Sequence, residues 1–358
     1  MKHLRQLLMA LAKVVGSLAF LGLLLYFAVN TADKRKTFFA MLAGYKEWDW
    51  AFLVVGFVIY LVAVLITFVR WRYLVHALGI EISMRDTLRI GFLGYLFNFL
   101  PTGIVGGDLL KAWMLGKEKP GTGNRAKALA SVIVDRIVGL YVLFLVAAVG
   151  IFATGFFWKA PDEPWAHRIC WIVLALTVIS TVGIALVLIP GFLESRLVQI
   201  FTRIPKAGAA IKSLLDAVMI YRAQRGVLFW TSVMTIPVHV LLTISLFVLA
   251  LGLRFGTVPF GDYFAIYPIS GVAQTIPLNA GPAEAVINYF YTTAGGSQQQ
   301  GLILAFAYRL ITLLLAPVGA AYYFLGARGE VKEVMHDLEE DEDHPPPKGG
   351  SGSVSIST

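Results

Sequence analysis

Five charged side chains stand within largely apolar stretches of the chain. Asp108 and Lys111 lie close together and are followed by Arg136, and Glu284 and Arg309 repeat the order of a carboxylate followed by an arginine. A charge at membrane depth is costly unless it is paired, protonated or hydrated, so these residues are candidate functional groups. An arginine near helix N-termini can bind a phosphate or another anionic head group. The carboxylates could contact that ligand or only brace the arginines, and both roles stay open.

The composition predicts a polytopic membrane protein as the setting for these charges. Of 358 residues, 58% are hydrophobic and 15% are charged, against about 45–50% and about 25% in soluble domains. The net charge of +8 is scattered between apolar stretches without a nucleic-acid-binding motif. Positive loops facing anionic lipid therefore explain it better than a nucleic acid partner does. The single Cys170 excludes an internal disulfide and a multi-cysteine metal site.

Apolar stretches long enough to cross a membrane predict an all-α fold with a transmembrane domain over residues 1–330. The predicted full spans are residues 14–29, 51–69, 128–152, 169–189, 227–251 and 301–325. Arg70, Arg72, Arg85 and Arg89 follow the second span, which places that loop and the N-terminus in the cytoplasm. Residues 192–225 predict an amphipathic segment on the cytoplasmic surface, and residues 331–358 a disordered cytoplasmic tail.

Two further stretches are interrupted and predict broken helices. Asp86 is expected to cap a short helix over residues 87–99, and a second short helix is expected over residues 101–115. The second stretch covers residues 262–294. Irregular backbone at membrane depth survives only against protein or a water-filled cavity. Because positive charges flank the first stretch at both ends, we expect both stretches to form re-entrant hairpins.

The two broken stretches match at a constant separation of 176 positions. The matched pairs are Asp86 with Asp262, Asn98 with Gln274, Pro101 with Pro277, and Asp108 with Glu284. Three full spans lie between the stretches, and an odd number reverses the side from which the second one enters. The pattern predicts an inverted-topology repeat, with elements at about residues 86–157 and 262–325 and a site near the membrane midplane. The alternative is a chance likeness of two Pro- and Gly-rich kinks.

The candidate substrate-binding residues come from the broken stretches and from the spans that follow them. They are Asn98, Pro101, Gly103, Gly106, Gly107, Asp108, Lys111, Asp135, Arg136, Gln274, Pro277, Asn279, Gly281, Pro282, Glu284 and Arg309. The sequence contains no Walker loop, no metalloprotease motif, no nucleophile elbow and no dinucleotide fingerprint. No catalytic residue, metal site or cofactor is therefore predicted.

Three motifs resemble those of the lysylphosphatidylglycerol synthase transmembrane family, also called the flippase-like or UPF0104 family. They are Asn98-Phe-Leu-Pro101-x-Gly-x-x-Gly106-Gly107-Asp108, Asp135-Arg136-x-x-Gly139-Leu140 and Ile276-Pro277-x-Asn279-x-Gly281-Pro282-x-Glu284-Ala285. The resemblance implies a protein of the bacterial cytoplasmic (inner) membrane, related to the flippase half of enzymes that make and translocate aminoacylated phosphatidylglycerol. Those enzymes continue into a soluble aminoacyltransferase domain where this chain has a short tail, so lipid aminoacylation is not expected.

The leading hypothesis is a lipid transporter or flippase with both termini in the cytoplasm. Its partners would be membrane lipids, either an anionic phospholipid or a polyisoprenyl phosphate lipid, and a homo-oligomer is compatible with the sequence. One alternative is an integral-membrane transferase that acts on a lipid-linked substrate, because paired carboxylates could serve as acid and base. The other is a non-catalytic membrane subunit. Transport is expected in preference to enzymatic activity.

Overall fold

The structure is a computed structural model that describes residues 2–99, 106–118, 124–159, 164–189, 191–193, 195, 198, 208–276, 278, 280–327 and 329. The regular elements in those ranges are helical, which confirms the all-α class. The helices are α1 (Lys2–Val29), α2 (Ala32–Ala43), α3 (Trp50–Ala77), α4 (Met84–Phe99), α5 (Gly107–Glu118), α6 (Asn124–Ala153), α7 (Phe156–Lys159), α8 (Pro164–Leu188), α9 (Gly208–Arg222), α10 (Arg225–Gly252), α11 (Tyr263–Ala273), α12 (Pro282–Thr293), α13 (Gln298–Leu313) and α14 (Ala316–Tyr322).

Long apolar helices confirm the polytopic membrane class. Among the described residues, five stretches are long and apolar enough to cross a membrane, namely Trp50–Ala77, Ala126–Ala153, Pro164–Val187, Arg225–Gly252 and Gln298–Gly326. A sixth would combine α1 and α2, whose segments Val15–Phe27 and Ala32–Ala43 meet at 106°. Helices satisfy their backbone hydrogen bonds internally, which is why they can cross lipid. Three of these spans lie between the two interrupted stretches, as predicted.

Helices α3 and α10 pack against each other in antiparallel directions. Each is 28 residues long. At one end of the pair, the Asp49 backbone N–H donates to the Gly252 carbonyl at 2.8 Å, and further along Ser245 Oγ donates to the Gly56 carbonyl at 2.8 Å. A Cβ atom on Gly56 would lie 3.0 Å from a Leu249 side-chain carbon. Small residues at this interface therefore let the two backbones approach closely.

Each of these two helices is followed by a broken element made of two short helices. We call α4 with α5 the first broken element, and α11 with α12 the second. The helices of the first element meet at two glycines, because a Cβ atom on Gly107 would lie 1.8 Å from the Gly94 carbonyl oxygen. In the second element, Gly281 has φ of +115° directly before α12, a conformation that favours glycine.

The first helix of each broken element packs against the span that follows the other broken element. In one case a Cβ atom on Gly319 of α14 would lie 2.4 Å from the Phe92 carbonyl oxygen of α4. In the other, a Cβ atom on Gly150 of α6 would lie 1.9 Å from the Phe264 carbonyl oxygen of α11. The two broken elements thus make matching glycine contacts with spans of the opposite half.

The spans that follow the broken elements run in opposite directions. Helix α6 is antiparallel to α3, since Lys127 Nζ donates to the Leu78 carbonyl and Trp71 Nε1 donates to Ser131 Oγ. Helices α13 and α14 run parallel to α3: the Tyr60 ring contacts the Tyr308 ring, and one Phe92 ring contacts both Phe68 and Tyr322. The spans that carry Arg136 and Arg309 therefore have opposite orientations.

Some local predictions were wrong. Ser83, not Asp86, caps α4: Ser83 Oγ accepts from the Asp86 backbone N–H at 3.1 Å and donates to Asp86 Oδ2 at 2.6 Å. The aspartate is thus in the first helical turn, where its charge suits the helix dipole. Arg70, assigned to a loop, is buried inside α3, which continues to Ala77. Within residues 192–225, the described helix is α9, and the tail lies outside the described residues.

Candidate functional site

Asp108 and Arg136 form an ion pair between the first broken element and the span that follows it. Arg136 Nε donates to Asp108 Oδ2 at 2.5 Å. Asp108 lies in the first turn of α5, where the helix dipole favours a negative charge. The Arg136 side chain is 55% exposed and the Asp108 side chain 31% exposed. More than half of the Arg136 side chain is therefore not covered by protein atoms.

Lys111 stands beside the same carboxylate, one turn along α5. Its Nζ atom is 3.8 Å from Asp108 Oδ1, which is an ion pair but too long for a hydrogen bond. The ammonium also lies 5.8 Å from the centre of the Phe68 ring and 5.9 Å from that of Trp71, within cation–π range. Gly94 leaves room for the lysine stem, because a Cβ atom there would lie 2.5 Å from Lys111 Cε.

Glu284 and Arg309 form the corresponding ion pair in the second half. Arg309 Nε donates to Glu284 Oε1, and the Gly281 backbone N–H donates to Glu284 Oε2 at 2.7 Å. One carboxylate therefore caps α12 and binds the arginine of α13 at the same time. Glu284 is 3% exposed and Arg309 is 22% exposed, so this pair is much more enclosed than the first.

Both arginines lie a little more than a third of the way along their spans. Arg136 is about ten residues into the span Ala126–Ala153, and Arg309 about eleven residues into Gln298–Gly326. At a rise of about 1.5 Å per residue, both lie about 15–17 Å from the start of their spans. Since the two spans run in opposite directions, the two arginines lie that far from opposite ends.

Asp135 belongs to a different cluster from its neighbour Arg136. Arg70 Nε donates to Asp135 Oδ1 at 2.9 Å, and Arg70 Nη1 donates to Thr235 Oγ1 at 2.7 Å, so this cluster joins α3, α6 and α10. His239 adds a second link, because its Nε2 donates to the Gly139 carbonyl at 3.2 Å. Sequence reasoning missed Arg70, although the apolar residues that follow it in α3 are consistent with a longer helix.

A group of tyrosines fills the space between the two halves beside Arg309. Tyr60 and Tyr95 share a hydrogen bond of 2.9 Å between their hydroxyls, and Tyr95 donates to the Thr312 carbonyl at 2.8 Å. The Tyr308 ring contacts both Tyr60 and Tyr267 edge-on, at 5.8 Å between ring centres in each case. Sequence reasoning did not single out these residues, whose signal is only that tyrosines recur inside apolar stretches.

The remaining predicted site residues differ in their exposure and packing. Asn98 is exposed in the last turn of α4, and its Oδ1 would lie 2.9 Å from a Cβ atom on Gly107. Gly106 has open space around it, while Gln274 is exposed just after α11. Pro282 is the buried first residue of α12. Pro101, Gly103, Pro277 and Asn279 lie outside the described residues.

The second broken element is also held by α1. The Ala280 backbone N–H donates to Ser17 Oγ at 3.3 Å, and a Cβ atom on Gly281 would lie 2.6 Å from a ring carbon of Phe20. Ser17 is buried by this contact. The described part of the chain contains no group of three His, Cys, Asp or Glu side chains that could hold a metal ion.

The first ion pair presents a guanidinium and an ammonium group, which are groups that can bind an anion. Each arginine is oriented by a carboxylate at a helix N-terminus, and each carboxylate is engaged by a cation. A carboxylate held in this way is a poor general base, because its pairing with the arginine would be lost on proton transfer.

Comparison with known proteins assigns the chain to a family. The model of the family described as "Lysylphosphatidylglycerol synthase TM region" matches residues 13–319, a range that contains both ion pairs and both broken elements. No curated protein matches the chain. The family match agrees with the resemblance seen in the three sequence motifs and covers most of the chain. This protein is thus a member of the lysylphosphatidylglycerol synthase transmembrane-region family.

Proposed function

We propose that this protein is a lipid flippase, which moves a lipid with an anionic phosphate head group between the two membrane leaflets. The observation that carries the proposal is Arg136, whose side chain is 55% exposed inside an apolar span while its Nε binds a carboxylate at the start of a short broken helix. Guanidinium groups bind phosphate well and stay charged at membrane depth. Family membership supports a role in lipid modification or transport.

The two halves would form an inverted-topology repeat with a path between the broken elements. The opposite directions of the arginine-bearing spans and the matching contacts at Gly150 and Gly319 support this arrangement. The equal lengths of α3 and α10, which start 175 positions apart, extend the repeat to the span before each broken element. Repeats of this kind bind substrate near the midplane, at discontinuous helices.

The proposed topology can be tested by labelling single cysteines. Buried Cys170 is replaced by alanine, and exposed positions are then changed one at a time as Glu81→Cys, Ala126→Cys and Gly256→Cys. With a membrane-impermeant maleimide in right-side-out and inverted vesicles, residues 81 and 126 should label from the cytoplasmic side and residue 256 from the other. Labelling of residues 81 and 126 from opposite sides would refute a re-entrant first element.

The transport proposal is tested by leaflet exchange in proteoliposomes. Fluorescent analogues of phosphatidylglycerol, phosphatidylcholine and a polyisoprenyl phosphate are reconstituted with the protein, and outer-leaflet fluorescence is quenched with dithionite. We expect the protein to increase the accessible fraction of at least one anionic lipid. Exchange equal to that of protein-free vesicles for every anionic lipid would refute the proposal. Chemical conversion of a supplied lipid-linked substrate would instead favour a transferase.

The proposed setting is the bacterial inner membrane, with both termini in the cytoplasm. Arg72, Arg85 and Arg89 near the α3–α4 connection support this orientation by the positive-inside rule. The partners would be anionic phospholipids or polyisoprenyl phosphates, and possible self-association is tested by the mass of the protein in nanodiscs.

A further inference from the structure

The two ion pairs differ in the number of cations around them. Lys111 stands beside Asp108, whereas the position 176 residues later is Ile287, which is buried. Among the described residues of the second half, no ammonium group forms an ion pair with Glu284. The described contacts of Glu284 with charged groups consist of the Arg309 pair.

The first site carries one positive charge in excess. Lys111 and Arg136 both lie beside Asp108, so this cluster contains two cations and one carboxylate, and the neighbouring Arg70–Asp135 pair adds no net charge. The sequence from Phe99 to Gly107 adds no ionisable side chain. The pair formed by Glu284 and Arg309 has no net charge. An uncompensated cation at membrane depth is unfavourable, and an anion would relieve it.

Within the described part of the chain, Lys111 and Arg136 also make few hydrogen bonds. Among the described residues, Arg136 makes its hydrogen bond through Nε, which leaves both terminal amino groups of the guanidinium available. Lys111 Nζ is too far from Asp108 for a hydrogen bond and faces aromatic rings. Both cations contact oxygens of the same carboxylate, so one phosphate group could reach both of them.

We propose that Lys111 and Arg136 bind a single phosphate group carrying one negative charge, and that the Glu284–Arg309 pair is a fixed brace that does not bind it. This proposal rests on the function proposed above and makes it more specific. A phosphodiester such as that of phosphatidylglycerol has one negative charge and would bring the first cluster to neutrality. The head group is then received at the first broken element.

The test is head-group binding to the full chain in nanodiscs, measured by the quenching of a fluorescent phosphatidylglycerol analogue. Lys111→Met keeps the apolar stem over Phe68 and Trp71 but removes the charge, and Lys111→Gln is a second variant. Loss of one charge-assisted contact should weaken binding by about tenfold or more. Lys46→Gln, at an exposed turn, is the matched control and should bind like wild type.

The second ion pair is tested with a neutral replacement that keeps its shape. The double variant Glu284→Gln/Arg309→Gln removes both charges together, so that neither is left unpaired. We expect its affinity for the phosphatidylglycerol analogue to stay within about twofold of wild type. Size-exclusion profiles and melting temperatures establish that each variant is folded before its binding is compared.

Competing ligands identify the recognised group. Phosphatidylcholine, which has no net charge, should compete weakly. Competition by inorganic phosphate would show that the phosphate group alone is recognised. Competition by phosphatidylglycerol but not by inorganic phosphate would assign the site to the lipid. Both results support the proposal. Unchanged affinity in a folded Lys111→Met or Lys111→Gln variant, or tenfold weaker binding in the folded double variant, would overturn it.

Binding and transport can fail separately. If wild type binds phosphatidylglycerol through Lys111 but no lipid exchanges between leaflets, the binding site stands and the flippase proposal fails. If exchange continues in folded Lys111→Met with unchanged head-group preference, the flippase proposal stands and the assignment of Lys111 fails.

Discussion

Neutralising the two carboxylates should have very different effects on stability. Glu284→Gln leaves Arg309 without its counter-ion in an enclosed site, since Glu284 is 3% exposed and Arg309 is 22% exposed. Removing one partner of a buried pair costs about 3–5 kcal/mol. The glutamine can still accept the Gly281 N–H bond, so the change isolates the charge. Asp108→Asn is the comparison variant: because the Arg136 side chain is 55% exposed, the guanidinium left unpaired is less enclosed by protein, and the change should cost less than Glu284→Gln does.

Thermal unfolding in detergent, followed by tryptophan fluorescence at one fixed scan rate, measures this difference. A loss of about 3 kcal/mol corresponds to a fall in melting temperature on the order of 5 °C, whereas Asp108→Asn should lower the melting temperature less. The double variant Glu284→Gln/Arg309→Gln should recover part of the loss, because the unpaired charge is removed. Equal shifts for the two single variants would refute the inferred difference between an enclosed pair and an exposed one.

Three further substitutions and two comparison variants test the packing around the site. Gly107→Ala should destabilise the protein by about 1–3 kcal/mol, because its Cβ atom would lie 1.8 Å from a carbonyl oxygen of α4. The control Gly106→Ala has open space around the new Cβ atom and should change stability by less than about 0.5 kcal/mol. An equal fall in melting temperature for both variants would contradict the contact between α4 and α5. Gly281 has a positive φ and lies in close contact with α1, so Gly281→Ala should lower the melting temperature more than Gly106→Ala does. A wild-type melting temperature for Gly281→Ala would contradict the close packing of α1 against this turn. Arg70→Leu leaves a carboxylate of α6 unpaired within three packed helices and should cost about 3–5 kcal/mol of stability. The control Arg72→Leu removes one hydrogen bond to a backbone carbonyl and should cost about 1 kcal/mol. A larger loss of stability in Arg72→Leu than in Arg70→Leu would contradict the buried network.

The sequence was sufficient to predict which carboxylate lies with which arginine. Asp108 and Glu284 are unusual because apolar helices rarely carry charge, and each is followed by one span with an arginine inside it. Helix periodicity and length then limit the partners that each charge can reach. The ion pairs Asp108–Arg136 and Glu284–Arg309 were therefore predictable from spacing and confirmed by the structure.

The helical position of Arg70 and its ion-pair partner could not be predicted from the sequence. An arginine at the end of an apolar stretch satisfies the positive-inside rule, so it was assigned to a loop. In the structure α3 continues beyond it, because Trp71, Leu74 and Val75 are buried in the core of the adjoining helices. The partner of Arg70, Asp135, is 65 positions away on another helix, and no local pattern identifies a contact of that kind.

The capping error at Asp86 and the missed tyrosines have other causes. In Ser83-x-x-Asp86 either residue could cap a helix, and only the backbone geometry shows that Ser83 does so. The contacts of Tyr60 with Tyr95 and with Tyr308 join three different helices. Tyrosine is common in membrane helices, so its contribution depends on packing between distant elements that composition cannot specify.

The most direct test of the central claim is the rate of phosphatidylglycerol exchange between leaflets for wild type and for Arg136→Gln, in the same vesicles and at equal protein density. Lys46→Gln serves as the folded control at an exposed turn. A flippase that receives the head group at Arg136 predicts exchange in wild type and in Lys46→Gln, and at least about tenfold slower exchange in Arg136→Gln. Exchange at the wild-type rate in folded Arg136→Gln would contradict the account.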